Sequence, residues 1–124
     1  MNPDTLLLRQ IHPIFIQAGQ VTSQAFKPTP KDESKLSVYN GDLISPLSSF
    51  EHYTIQLGLS SAGVLAVCKT ECDLCDLPVL WDGIPFPEHC TLDFTSFTRT
   101  QIEKTAKILK RNAVTRGWLY NVND

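Results

Sequence analysis

Residues 98–117 constrain the fold more than any other stretch, because they specify a long helix that cannot stand alone. Thr98 supplies an N-cap hydroxyl, and Gln101, three positions on, completes a capping box. Phe97 and Ile102 are spaced to staple across that cap. Ile102, Ala106, Leu109 and Ala113 then recur on one face, while Lys104, Lys107 and Arg111 fall on the opposite one. Gly117 ends the run. A helix with a single apolar stripe must bury it against a second layer, so the rest of the chain has to build that layer.

The remaining apolar segments are short and strand-like. Ala62 to Val67 is continuously apolar and reads as a buried central strand. Leu36 to Tyr39 and Cys90 to Phe94 read as further strands, with smaller ones at Pro78 to Trp81 and Trp118 to Tyr120. Asn40-Gly41 is a tight-turn signal that would join Leu36–Tyr39 to Leu43-Ile44 as a hairpin. Ser45-Pro46 opens a middle helix, with serine as cap and proline at the first helical position. That helix should run to about Leu57, stop at Gly58, and point Leu47, Phe50, Thr54 and Leu57 inward. Thr70 is placed to cap a brief turn over Glu71 to Asp76.

At the start of the chain, Asp4 can cap a helix through Leu6, Leu7 and Ile11, broken at His12 by the following proline. A second turn would start at Pro13 and close at Gly19. Val21 to Phe26 follows as a strand or irregular edge segment, and Pro28 with Pro30 stiffens Lys27 to Lys31 into a loop. The expectation is an α+β fold. It is a small, mostly antiparallel or mixed sheet packed by an N-terminal helix, a middle helix and the long C-terminal amphipathic helix. With 124 residues the chain is read as one compact domain spanning 1–124.

Charge is distributed unevenly. The net formal charge is −2, yet Arg99, Lys104, Lys107, Lys110, Arg111 and Arg116 share the C-terminal helix with Glu103 as its one acid. The total argues against a chain devoted to nucleic acid, while the helix keeps a local basic face for phosphates or an acidic partner. Neither an export signal nor an apolar run near the ~20 residues of a membrane helix is read from the sequence. A cytoplasmic location, reduced cysteines and no membrane partner are therefore expected.

Candidate chemistry is sparse. Cys68, Cys72 and Cys75, with Cys90 further on, carry zinc-type ligands, but their spacing matches no knuckle pair, and a reduced cysteine commonly serves as a small apolar side chain. The expectation is no metal and no cofactor, with that cysteine set as the alternative. His12, His52 and His89 are the groups that titrate near neutrality unaided. His12 with Lys27 and Ser37 would make a metal-free acid–base site, and His52 or His89 would serve as the second acid or base. The loop residues Lys27, Lys31, Asp32, Glu33 and Ser34 offer paired carboxylates beside hydroxyls. Arg9, Ser23, Gln24, Lys104, Lys107 and Arg111 are the candidate binding residues. No phosphate loop, dinucleotide fingerprint, nucleophile elbow or zinc-protease helix is present.

The run Arg9-Gln10-Ile11-His12-Pro13-x-Phe15, with Ser23-Gln24-Ala25-Phe26-x-Pro28-x-Pro30-Lys31-Asp32-Glu33 and Leu36-Ser37-Val38-Tyr39, resembles a family of small bacterial proteins. The ending, Ala106-Lys107-x-Leu109 to Arg116-Gly117-Trp118-Leu119-Tyr120, resembles the same group. No activity comes with that resemblance, so no residue role is carried over. It implies a cytoplasmic bacterial protein, from a mobile or defence-type gene neighbourhood. Two functions follow as expectations. One is a protein-binding module, an accessory or immunity component of a defence or toxin system. The other is a small RNA- or nucleotide-directed enzyme, ribonuclease- or transferase-like, using His12 and Lys27. Oligomeric state is left open.

Overall fold

The computed structural model describes residues 1–29 and 33–123. The candidates Lys31 and Asp32, with Pro30, lie outside the described residues. The long helix is where the capping signals put it. We label it α3; it spans Arg99–Arg116. The Thr98 hydroxyl accepts from the Gln101 N–H at 3.2 Å, and the Gln101 side chain accepts from the Thr98 N–H at 2.7 Å.

The layer beneath it is a six-stranded, wholly antiparallel sheet. In chain order the strands are β1 (Leu6–Gln10), β4 (Lys35–Asn40), β5 (Gly63–Cys68), β6 (Val79–Leu80), β7 (His89–Asp93) and β8 (Tyr120–Asn121). Their spatial order is β6-β7-β4-β1-β5-β8. A separate two-stranded hairpin pairs β2 (Ile16–Gln17) with β3 (Gln20–Val21). The other helices are α1 (Pro46–Glu51), continued by a π turn over His52–Gln56, and α2 (Lys69–Asp73). The α+β class, the antiparallel sheet and the C-terminal helix are as the sequence predicts. No helix is long and apolar enough to cross a membrane among the described residues.

The N-terminal helix is replaced by a strand. Leu7 and Leu8 are both buried, on opposite faces, as a central strand demands and a one-sided helix does not. β1 pairs along its whole length with β5, from Leu6 opposite Cys68 to Gln10 opposite Val64. Ten ladder residues outweigh one Asp4 cap. Pro13 does open a turn, the 3-10 segment Pro13–Phe15, but Gly19 sits in the β2–β3 hairpin rather than closing a helix. Ser23–Phe26 is also 3-10, not strand. Leu43-Ile44 forms no hairpin with β4, because the Gly41 N–H donates to the Leu6 carbonyl at 2.7 Å and turns the chain over β1. A Cβ on Gly41 would stand 2.6 Å from that same oxygen. The π turn rotates the middle helix, leaving Leu47 and Leu57 exposed while Ser49 is buried and Phe50 and Tyr53 pack inward. α2 starts at Lys69, with Cys68 at its cap in place of Thr70.

Strand alternation gives the sheet two apolar faces. On one, Ala106, Leu109 and Ala113 of α3 meet Leu7, Leu36, Val38, Leu65, Val67 and Leu92, with Phe26 and Phe94 filling the margins. Each fully buried leucine or phenylalanine contributes on the order of 1.5–3 kcal/mol. On the other face Leu8, Tyr39, Val64 and Ala66 are covered by Phe50, Tyr53, Phe86 and Tyr120. This second cover is thinner, and it is incomplete over β4 and β7.

Candidate active site

β1 and β4 pair only at Leu7–Asn40 and Leu8–Tyr39, so the two strands part beyond those residues. Arg9 occupies the fork, its Nε donating to the Ala25 carbonyl at 2.9 Å and an Nη to the Ser37 carbonyl at 3.0 Å. The guanidinium thus takes the place of a ladder bond and stands as a fixed positive charge beside Ser37. β4 and β7 stay paired throughout, with Ser37 opposite Thr91 and Tyr39 opposite His89. Period-two alternation sends those four side chains to the thinly covered face.

The chain after β6 folds back over this face. Gly83 N–H donates to the His89 carbonyl at 3.1 Å, and the Trp81 indole N–H donates to the Pro87 carbonyl at 2.8 Å. The loop so held delivers Asp82 to His89. His89 Nδ1 lies 2.6 Å from Asp82 Oδ1, its Nε2 lies 3.1 Å from Ser37 Oγ, and Thr91 Oγ1 donates to Asp82 Oδ2 at 2.8 Å. The order is serine, imidazole, carboxylate. Burial pushes the Asp82 carboxyl up, but hydrogen bonds from His89 and Thr91 and the charge of His89 outweigh it, leaving the group below its ordinary value. Asp82 is therefore a carboxylate, able only to accept. An imidazole donating Nδ1–H to that carboxylate would present Nε2 to the Ser37 hydroxyl as an acceptor.

Ser37 opens into a cleft of about 330 Å³. Tyr53, Leu57 and Leu59 form one wall, from the π turn and the residues after it, and Pro85 with Phe86 forms the other. Single π turns inside helices recur at functional sites. Tyr39 closes the inner end, its hydroxyl 2.8 Å from His52 Nδ1 and its ring stacked on Phe86 at 5.2 Å. Phe86 also meets His89 edge-on at 5.4 Å, which fixes the imidazole plane between the serine and the carboxylate.

Of the residues singled out from the sequence, Arg9, Ser37 and His89 meet in this cleft, and His52 stands behind it. The grouping of His12 and Lys27 with Ser37 is corrected. His12 is exposed and caps the first 3-10 turn, its Nδ1 accepting from the Ile14 N–H at 3.0 Å. Lys27 pairs with Glu103 at 3.7 Å and lines a different depression, beside Gln24 and Arg99. Ser23 begins the second 3-10 turn. Lys104, Lys107 and Arg111 do share one exposed groove on α3, on the far side of the sheet from the cleft.

The cysteine set is not assembled as a metal site: among the described residues no three His, Cys, Asp or Glu side chains are grouped to hold an ion. All four thiols are free. Burial pushes Cys72 up to about 12 and Cys90 up to about 11, so both are inert packing groups. Asp82 was absent from the sequence-based candidates. Only the fold of the chain after β6 over β7 makes it a partner of His89.

No protein-family model, no curated protein and no solved structure matches this chain.

Proposed function

We propose that this protein is a hydrolase or acyltransferase that uses Ser37 as its nucleophile. The observation that carries the reading is the Ser37–His89–Asp82 relay, with both hydrogen bonds on the correct imidazole nitrogens. Triads are recognised by geometry and role rather than by position in the sequence. In the proposed reaction Ser37 Oγ attacks an acyl carbonyl while its proton passes to His89 Nε2. The new Oγ–C bond gives a tetrahedral oxyanion, and Asp82 balances the imidazolium. Collapse breaks the bond to the leaving alcohol, which takes the proton back from Nε2. Water, activated by the same imidazole, then releases the acid. The Arg9 guanidinium, bonded to the Ser37 carbonyl, adds positive potential to the site as a whole.

The test is active-site labelling followed by turnover. A fluorophosphonate should add one adduct per chain, at Ser37, and neutral esters should be hydrolysed. Ser37→Ala should abolish the adduct and lower kcat by ~10⁶. Labelling elsewhere, or undiminished hydrolysis by Ser37→Ala, overturns the reading.

A second reading, a partner-binding accessory protein in a bacterial cytoplasm, is favoured by the α3 groove. There Lys104, Lys107 and Arg111 line one exposed surface, and among the described residues none of the three is in an ion pair. An acidic protein surface is the complement of that stripe. Lys104→Glu with Lys107→Glu should release a stoichiometric partner recovered from the native host, and an unchanged complex rejects it.

A further inference from the structure

The two walls of the cleft carry an argument about which acyl group Ser37 receives, and this argument rests on the hydrolytic reading above. Tyr53, Leu57 and Leu59 face Pro85 and Phe86 across the opening. Leu57 and Leu59 are 44% and 49% exposed, and Ile84, which precedes Pro85 in the chain, is 72% exposed. Apolar side chains left open on both sides of one slot, above a polar relay, are a reason to look for an apolar occupant.

The polar groups nearby point the same way by being committed. Gln10 donates to Ser49 Oγ at 3.0 Å and accepts from Ser61 Oγ at 2.9 Å. The Tyr39 hydroxyl is held by His52. Arg9 already donates its Nε and one Nη to backbone carbonyls, so two of its five N–H groups are committed within the fold.

We infer that the substrate is an ester or thioester of an uncharged, unbranched or aryl-substituted acyl group, laid between Leu57–Leu59 and Pro85–Phe86 with its carbonyl at Ser37. Volume sets the length. At about 30 Å³ per atom-sized occupant, the share of a water in the liquid, 330 Å³ holds roughly ten heavy atoms. That is an acyl chain of about six to eight carbons with its ester atoms. Burying each methylene is worth about fourfold in binding.

The experiment uses the whole chain with 4-nitrophenyl esters from acetate to decanoate, and the hemisuccinate ester as the charged comparison. kcat/KM should climb by about fourfold per methylene to a plateau near six to eight carbons, and the hemisuccinate should fall below the neutral ester of equal length. Leu59→Asp should flatten the climb, and a climb with the wild-type slope in that variant overturns the placement of the acyl chain against this wall. Hydrolysis that needs Ser37 but is flat with chain length, or that favours the hemisuccinate, overturns the acyl assignment and leaves the nucleophile standing. A readout independent of chemistry separates the opposite failure. On Ser37→Ala, the ring-proton shifts of Tyr53 and Phe86 are followed against N-methylhexanamide and N-methylacetamide. Tighter binding of the hexanamide supports the apolar wall even if no ester is turned over. Equal binding overturns it.

Discussion

The two faces of the sheet are made from alternate residues of the same strands, yet they end in opposite states. Under α3, eighteen helical residues lay a continuous apolar stripe over Leu7, Val38, Leu65 and Leu92, and the face is sealed. On the other side, a short helix with its π turn, one loop and the chain end share the work, and Ser37, Tyr39, His89 and Thr91 carry polar atoms there. The difference teaches that coverage decides which face keeps polar side chains within reach of solvent. A sealed face contributes stability, while a partly covered one keeps polar groups ordered and reachable.

Substitutions can test that division of labour. After Ser37→Ala, the largest effect is expected at Asp82→Asn, which keeps the shape but lets the imidazole take the other tautomer. kcat should fall by ~10³–10⁴, while thermal unfolding moves little because the side chain is partly exposed. Equal activity in the Asn variant would reduce the Asp82–His89 contact to scaffolding. Leu109→Ala is the mirror case. It empties the sealed face and should cost about 2–5 kcal/mol in chemical denaturation, with Ser37 labelling unchanged in the folded fraction. If labelling falls with stability, the faces are not independent.

The smallest effect concerns the margin where α2 meets α3. Arg116 donates to both Glu71 oxygens at 3.0 and 3.1 Å and also to the Ala66 carbonyl at 2.8 Å. Burial pushes the Glu71 carboxyl up, but Arg116 and the Cys68 N–H more than offset it, so the group lies below its ordinary 4.5. A folded-state value below the unfolded one contributes stability that is complete above about pH 4.5 and is lost as pH falls through the folded value. Glu71→Gln should therefore cost about 1–2 kcal/mol at pH 7. Urea titrations at pH 7 and pH 3 should show the gap to wild type closing at the lower pH. A gap that is the same at both would assign the loss to packing.

Much of the fold was legible from local chemistry. Thr98 with Gln101, Ser45 with Pro46, and Gly58 and Gly117 mark helix ends through caps and backbone angles that depend on a few neighbouring residues. The buried run before Cys68 and the alternation before Phe94 placed β5 and β7 for similar reasons. The misreading at Leu6–Gln10 has the complementary cause. A short apolar run fits a helix or a strand equally well, and its partners β4 and β5 lie far along the chain.

The candidate site divides in the same way. Ser37 and His89 stand out as residue types, and Arg9 as a charge in an apolar run. Their meeting depends on the register that sets Tyr39 opposite His89, on the parting of β1 from β4, and on a loop that returns Asp82 over β7. By itself, then, the sequence determined the class of fold and the long helix with its basic outer face. Only the tertiary structure decided that β1 is a strand and that a serine, a histidine and an aspartate line up in one cleft. Caps and turns are satisfied within a few residues, whereas strand register and loop return are settled by contacts between segments that the linear order keeps apart.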